Sequence, residues 1–381
     1  MVMREKLAVI VLTMFALSVS VAGEGAGGTE KRWFEKATFQ GDLRLRYEGF
    51  DQSGKFDESR RDRFRYRFRW GFRAKVNELI TIGLQLRSGD ARDPVSDNQT
   101  LTSGLDKKEI AIAEAFADFT LTDELSLIAG KFSPKKLWTV SDMQYDDDVV
   151  TEGAMARWKH AGGHGLLESL QGVLFVQVLE ESKNGSDSYA WGAQFSPTLR
   201  IGKESRLQLG VGFDTLIEPQ GVVDLTLSGK LKGNKVSNFL DGEGQLVSDF
   251  DVVSVFGIYR CRANKSWPLK LTAFFYRNSG ATGVGEDYDT AYFGRIQVGD
   301  YKKPGQMAFR VSVYHSEPDA LFYAYTQSDT TRGSNLDGLR FDYRVGLHSR
   351  GYLNFTWYNT DPELGEGATM NRWQLDYILK F

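Results

Sequence analysis

The sequence contains few of the residues on which disulfides, metal centres and hydrolytic sites are usually built. Its single cysteine excludes an internal disulfide framework and the common cysteine-rich zinc sites. With four histidines and no recognisable nucleophile motif, it gives little support to a hydrolase. The net charge of −3 at pH 7 excludes a basic nucleic-acid binder by composition. Beyond the N-terminal segment, no stretch approaches the roughly 18 consecutive apolar residues of a transmembrane helix.

Glycine and aromatic residues are common, whereas proline is scarce. The 381 residues include 40 glycines and 8 prolines, and 13% of them are Phe, Trp or Tyr. Aromatic side chains favour strands, and proline interrupts the pairing of strands because it has no backbone N–H group. The composition therefore favours long strands over helices.

The N-terminus has the pattern of a secretory signal peptide. Arg4 and Lys6 precede an apolar run from Leu7 to Val21, and Ala22 completes a small-residue cleavage site. A retained membrane anchor is the alternative, but the run is short for a spanning helix of about 20 residues. We therefore expect a signal peptide at 1–22, a flexible leader at 23–36 and one structured domain at 37–381.

The segment from Asp62 to Lys75 alternates between two kinds of side chain. Five aromatic residues share one phase, and five arginines share the other: Arg63, Arg65, Arg67, Arg69 and Arg73. A period of 2 over this length indicates one strand with an apolar face and a charged face. Strands of soluble sheets usually have about 5–6 residues, whereas a transmembrane strand needs about 9–11.

The same alternation recurs along the chain, and the links between the alternating segments are short and long in turn. A soluble sandwich would bury the apolar face, whereas a membrane barrel turns that face toward lipid. Short turns at one end and long loops at the other are typical of outer-membrane barrels. We therefore predict an all-β fold: a transmembrane antiparallel up-and-down β-barrel, with short periplasmic turns and long external loops.

The alternating segments predict 16 strands. A further strand-like segment, Val222 to Lys232, would make the number odd, so we assign it to a long external loop. A misassigned middle loop, or a misassigned region near Gly165, would change the number to 14 or 18. A barrel of about 16–18 strands leaves an aqueous channel. The predicted strands are 37–49, 62–75, 79–88, 110–121, 125–132, 153–160, 168–180, 187–199, 206–215, 249–262, 268–278, 288–299, 306–316, 338–348, 352–360 and 371–381.

Several stretches of the chain resemble a known family. They are Arg63–Asn77, Asp93–Leu101, Ala113–Lys131, Asp249–Tyr259 and Val298–Gly305. Through them the chain resembles the putative porins of Gram-negative outer membranes over nearly all of its length after the signal peptide. The resemblance implies passive diffusion of small hydrophilic solutes and ions through a barrel in outer-membrane lipid, without a cofactor. It does not fix the solute.

The last residue of the sequence, and the oligomeric state common among porins of this size, suggest protein partners. The final strand alternates up to Phe381, which resembles the signal that the outer-membrane barrel-assembly machinery reads. Many porins of this size are trimers, so the resemblance makes a homotrimer possible, and a monomer is also possible.

We expect the charged phase of the strands to face the lumen. A slip of Asp62–Lys75 by one residue would turn its five arginines toward lipid, at about 2–4 kcal/mol each near the midplane and about 0–1 near the interfaces. The register should therefore be fixed, with a cationic wall inside. We predict these pore-lining residues: Arg44, Arg46, Arg63, Arg65, Arg67, Arg69, Arg73, Arg87, Glu114, Asp118 and Arg372.

An acidic run follows the fifth predicted strand and is a candidate constriction loop. Its members are Asp142, Asp146, Asp147, Asp148 and Glu152. If this loop folds into the lumen, its acids would meet the basic wall and orient dipolar solutes. The arginines could instead pair with Asp42, Glu48 and one another, and the acidic run could be a solvated surface or an opportunistic Ca²⁺ contact.

The sequence leaves the selectivity of such a channel open. A general channel of low selectivity is one interpretation. An anion- or phosphate-selective porin is the alternative, because closely spaced guanidinium groups bind carboxylates and phosphates bidentately. The negative net charge and an inward acidic loop would instead favour cations. A barrel enzyme and a non-conducting structural or adhesion barrel are less well supported.

Overall fold

The computed structural model describes residues 33–52, 60–102, 104–105, 107–163, 165–182, 186–365 and 367–381. The predicted signal peptide at 1–22 and most of the predicted leader at 23–36 lie outside the described residues. The last four residues of that leader, Trp33–Lys36, form a short 3₁₀-helix that leads into the first strand.

Sixteen long antiparallel strands of the described residues form one closed barrel, which confirms the predicted fold and strand number. The barrel closes because β1 pairs with β2 on one side and with β16 on the other. A two-residue strand, Gln99–Thr100, also pairs with β2 from a loop. The barrel strands are β1 Ala37–Gln52, β2 Arg60–Lys75, β3 Ile80–Ser88, β4 Ile110–Thr120, β5 Leu125–Phe132, β6 Thr151–Ala161, β7 Leu167–Glu180, β8 Ser188–Arg200, β9 Ser205–Ile217, β10 Phe250–Cys261, β11 Leu269–Asn278, β12 Thr290–Gly299, β13 Met307–Ser316, β14 Leu336–His348, β15 Gly351–Asp361 and β16 Met370–Lys380.

The register of the strands separates apolar from charged side chains. On β1 and β2, Leu45 pairs with Tyr66 and the next residues along, Arg46 and Arg65, also pair. The exposed fraction is 50% for Leu45 but only 4% for Arg46. Alternate residues of a strand point to opposite faces of the sheet, so the apolar phase covers the outside and the arginine phase lies inside.

The connections are short at one end of the barrel and mostly long at the other. The turn between β2 and β3 is closed by a hydrogen bond from the Val76 N–H to the Ile80 carbonyl at 2.8 Å. The long connections are the loops 89–109, 133–150, 218–249 and 317–335. Helix α1, Gln220–Leu227, lies in the third of these, where the sequence predicted a loop over Val222 to Lys232.

None of the described helices is long and apolar enough to cross a membrane.

Three of the long loops fold back inside the barrel and share a buried apolar cluster. Trp138 of loop 133–150 packs edge-on against Phe175 of β7, with ring centroids 4.7 Å apart. Val223 of α1 and Tyr323 of loop 317–335 belong to the same cluster. Burial of each such side chain contributes about 1.5–3 kcal/mol, so the loops are held inside by apolar packing.

Asparagine side chains also join loop 218–249 to loop 317–335. The Asn234 side-chain amide donates to the Tyr323 and Thr326 carbonyl oxygens at 3.0 and 2.8 Å. The Asn238 amide donates to the Leu321 carbonyl oxygen at 2.9 Å. These bonds satisfy backbone groups that the loop structure leaves unpaired, and they make the two loops one packed unit.

Candidate pore and constriction

A buried glutamate on β1 gathers four of the predicted arginines. Glu48 has no exposed surface and pairs with Arg63 and Arg372, and its carboxylate also lies 3.6 Å from both Arg46 and Arg65. We call these five residues the Glu48 cluster. A single carboxylate cannot neutralise four guanidinium groups, so the cluster has a net positive charge.

Arg67 and Arg69 of β2 bind acids that arrive from three different elements. Arg67 Nη2 lies 2.7 Å from the Asp42 carboxylate on β1. Arg69 Nε lies 2.8 Å from Asp97 in loop 89–109. Both arginines also reach Asp148 in loop 133–150, at 3.6 Å for Arg67 Nη1 and with a short ion pair for Arg69. The structure thus contains both pairings raised from the sequence, with strand acids and with the acidic loop.

Arg87 of β3 and Glu114 of β4 continue the charged face. Arg87 Nη1 lies 3.3 Å from Asp97, and Arg87 Nη2 lies 3.5 Å from Glu114. The second oxygen of Glu114 lies 2.6 Å from Lys136 Nζ. We call the charged side of β1–β4 and β16 the first wall.

Three further predicted residues have fewer ionic partners. Arg44 donates Nη2 to the Asn98 Oδ1 atom at 2.5 Å. Arg73 is exposed near the turn end of β2, and its guanidinium carbon lies 5.6 Å from the centre of the Phe116 ring. Asp118 of β4 is half-buried toward the same end.

A second basic wall, which the sequence analysis missed, lies on β12–β14. Asp142 of loop 133–150 lies 2.6 Å from Arg295 Nη2 and 3.4 Å from Arg340 Nη1. Asp342 of β14 accepts from both Nε and Nη2 of Arg340, at 2.9 and 2.8 Å. The signal was present as the polar phase of three alternating strands. The second wall consists of Arg295, Arg310, Arg340 and Arg344.

Loop 133–150 crosses the interior from one wall to the other. Asp142 contacts the second wall and Asp148 contacts the first. Between them, the Gln144 amide donates to Asp214 of β9 at 3.1 Å, and Lys135 Nζ lies 2.5 Å from Asp147. We call residues 133–150 the crossing loop.

Glu152 does not belong to the crossing loop, which corrects the sequence prediction. It lies on β6, where its side chain is 62% exposed and pairs with Lys131 of β5 at 2.7 Å. Its neighbour Thr151 is buried. Glu152 has the same phase as the exposed Trp158, so strand alternation turns it to the outer face.

The acids of the crossing loop differ in their electrostatic surroundings. Burial opposes the charge of Asp142, but Arg295 and Arg340 outweigh it and hold its pKa well below the usual value. Burial likewise opposes the charge of Asp148, but Arg69 and Arg67 hold its pKa low. Asp146 has no ion pair with an arginine among the described residues, and burial together with Asp148 raises its pKa. Its oxygens accept from the Asp148 and Ser328 N–H groups at 2.9 and 2.8 Å.

Loop 317–335 brings one more acid to the Glu48 cluster. Asp329 lies 2.7 Å from Arg372 Nη2 and 3.5 Å from Arg46 Nη1. Burial opposes its charge, but these two arginines hold its pKa well below the usual value. No local pattern in the sequence predicts this contact, because Asp329 lies in a loop without alternation.

Two polar cavities meet at Ser328 and Asp329. The larger one, about 480 Å³, lies between the first wall, the second wall and the crossing loop. The smaller one, about 280 Å³, is lined by Arg63, Arg65 and Lys235 among others. Ser328 and Asp329 line both cavities, so they lie where the two cavities adjoin.

One group in the described part of the chain has the residue types of a metal site. His315, Glu317 and Glu363 offer ligand atoms that all lie within 4.8 Å of one another. His315 Nδ1 is bonded to Asp337 at 2.7 Å, and Glu317 accepts from Thr290. The group lies at the loop end of β13 and does not line either polar cavity.

Comparison with known proteins supports the interpretation as a channel. A model of the family described as "Putative porin" matches residues 55–224. This segment matches the putative porins. The match confirms the resemblance found in the sequence, over somewhat less than half of the chain. It supports an outer-membrane porin channel and favours a channel over an enzyme. Among curated proteins, the search finds no match.

Solved porin-like barrels share the fold at low sequence identity. The high-pH structure of Pseudomonas putida OprB gives a TM-score of 0.58 at 13% identity, covering 94% of this chain and 100% of that one. Salmonella typhi OmpF, solved in complex with daunomycin, gives 0.54 at 11% identity, covering 91% and 97%. The Acinetobacter baumannii outer membrane channel DcaP gives 0.50 at 11%, covering 94% and 100%. At these identities the likeness shows the fold alone.

Proposed function

We propose that the protein is an outer-membrane porin that lets small hydrophilic solutes and ions diffuse passively through an arginine-lined lumen. The observation that carries the proposal is the crossing loop, which spans the interior between two basic walls. Its Asp142 pairs with Arg295 of the second wall, and its Asp148 pairs with Arg69 of the first. A structural barrel needs no such charged interior.

The charge arrangement supports a filter for polar solutes. Acids of the crossing loop and guanidinium groups of the walls face the same 480 Å³ cavity. Opposed charges across a narrow lumen orient dipolar solutes and hold ordered water, which an apolar solute would have to displace. We therefore propose that size and polarity determine which solutes pass.

Ion selectivity and assembly extend this proposal. Within the described part of the chain, nine basic and five acidic residues line the larger cavity, which favours anions and supports the anion- or phosphate-selective alternative. We further propose that a signal peptide at 1–22 directs secretion and that the barrel inserts in outer-membrane lipid after the assembly machinery reads Phe381. A homotrimer is the proposed oligomer.

Liposome swelling tests the diffusion function. Liposomes that contain the refolded protein should swell in isotonic solutions of small sugars, and the rate should fall steeply as the sugar grows. Deletion of residues 142–148 should raise the rate for larger sugars, since it removes the middle of the crossing loop. Liposomes with folded protein that swell no faster than empty ones would contradict the proposal.

A further inference from the structure

Most of the described arginines that line the larger cavity lie close to a carboxylate of this chain. Arg46 binds Asp376 with Nε at 2.6 Å and also lies near Asp329. Arg67 and Arg69 share Asp148. Each of these acids lines the larger cavity. Its negative charge is balanced by the arginine that it binds. Of the other two acids there, Asp147 binds Lys135 and Asp146 accepts backbone N–H groups.

Three arginines that line the same cavity make no hydrogen bond to a carboxylate within the described residues: Arg44, Arg310 and Arg344. Arg44 has Asn98 as its side-chain partner. Arg310 and Arg344 lie 3.9 and 3.7 Å from Asp342, beyond hydrogen-bond distance. Both oxygens of Asp342 already accept from Arg340. These three guanidinium groups therefore keep their positive charge for another partner.

Two of the three also have donors that nothing in the described structure satisfies. The Nε atoms of Arg44 and Arg310 are buried and have no hydrogen-bond partner. A buried charged donor without an acceptor is costly, so the described residues leave these two guanidinium groups incompletely satisfied. Arg344 is held in place by Asn354, which accepts from Nε at 2.9 Å, and by the Tyr301 hydroxyl, which accepts from Nη1 at 3.0 Å.

We propose that Arg44, Arg310 and Arg344 form a binding site for a small anion that carries carboxylate or phosphate groups. Guanidinium groups bind both groups through paired N–H donors. The cavity of about 480 Å³ lies within the range of about 300–1,000 Å³ found for small-molecule sites. Asn98, Thr356 and Gln374 also line it and can bind the hydroxyl groups of an organic anion. The inference rests on the proposed function, since the anion must reach the cavity through the lumen.

Calorimetric titration of the refolded protein tests the site without requiring conduction. Inorganic phosphate and succinate are the two probes, each added at constant ionic strength. We expect saturable binding of at least one probe to the unsubstituted protein. The double variant Arg44→Gln/Arg310→Gln should raise the half-saturating concentration at least tenfold. Binding of phosphate alone would assign the site to phosphoryl groups, and binding of succinate alone would assign it to carboxylates.

Two further variants separate loss of the site from a general effect of lost charge and from misfolding. Arg277→Gln removes the same charge from a residue whose side chain is 64% exposed and pairs with Asp289 outside the cavity, so it should bind as the unsubstituted protein does. Arg344→Gln is a second test of the site if the double variant does not fold. An unchanged half-saturating concentration in the folded site variants, or no saturable binding of either probe, would overturn the proposal.

Conductance of the same samples separates this proposal from the proposed function. A protein that conducts but binds neither probe lacks the anion site and is still a channel. A protein that binds a probe but does not conduct has the site and is not a porin.

Discussion

At the scale of single residues, one buried carboxylate organises the part of the first wall nearest the long loops. Glu48 is fully buried and pairs with arginines from β2 and β16, the two strands on either side of β1. An isolated buried charge is strongly unfavourable, and removing one partner of a buried ion pair leaves the others uncompensated. Glu48 therefore contributes to closure of the barrel as well as to the charge of the lumen.

Replacement of Glu48 should destabilise the barrel. Glu48→Gln leaves Arg63 and Arg372 without their common acid, so we expect the free energy of unfolding to fall by about 3–5 kcal/mol. Urea titration of the protein in lipid vesicles measures this loss. Glu78→Gln is the matched control, because Glu78 is 87% exposed in a turn and pairs only with Lys75 in the described structure. Equal stability of the two variants would contradict the role given to Glu48.

The acids of loop 89–109 predict a pH response. Burial raises the pKa of Asp93 to about 6, and burial together with Asp148 raises the pKa of Asp97 to about 6. Ordinary aspartates have a pKa of about 3.9, so the folded loop takes up protons as the pH falls through about 6 and is stabilised relative to a released loop. The lumen loses negative charge beside Arg69 and Arg87 in the same range.

We therefore expect anion preference to rise between pH 7.5 and pH 5. The reversal potential in a KCl gradient should move toward that of Cl⁻ with a midpoint near pH 6, and Asp93→Asn/Asp97→Asn should remove the shift. Asp90→Asn is the control, because hydrogen bonds from Arg92 and Lys232 keep the pKa of Asp90 low and it does not titrate in this range. If the shift persists in the double variant, groups other than Asp93 and Asp97 cause it.

At the scale of strands and loops, the sequence predicts the strands well and the inward loops poorly. Alternation is a local signal, and it predicted all sixteen strands. It also determines the register, because a slip of one residue exchanges the lipid and lumen faces. Asp329 could not be predicted, since its position depends on how loop 317–335 packs against α1 and the crossing loop. Arg295, Arg310 and Arg340 were not among the predicted pore-lining residues, although each lies in the polar phase of an alternating strand.

A charged side chain on the outer face of a strand should destabilise the barrel more when it lies deeper in the membrane. Val311, 46% exposed near the middle of β13, lies in the outward apolar phase. Val311→Arg should therefore lower the free energy of unfolding in vesicles by about 2–4 kcal/mol. Val76→Arg places the same charge in a turn, where a cost of about 0–1 kcal/mol is expected. Similar losses at both positions would mean that the face of β13 is not in contact with lipid.

At the scale of the whole molecule, different parts of the chain form the barrel wall and shape the lumen. Strand alternation builds the wall, with aromatic and branched residues outside and arginines inside. The inward loops then divide the lumen into two polar cavities that meet at Asp329. Because the loops fill the lumen and the strands build the wall, substitutions in the loops should change conduction more than folding.

The most direct test of the account is planar-bilayer conductance of the refolded protein, with the reversal potential measured in a KCl gradient. We expect stepwise channels that favour Cl⁻, and Arg67→Glu or Arg69→Glu should move the reversal potential toward that of K⁺. A preference for K⁺ in the unsubstituted protein would shift selectivity from the arginine walls to the acids of the crossing loop. Protein that is folded by circular dichroism and conducts nothing would contradict the porin function.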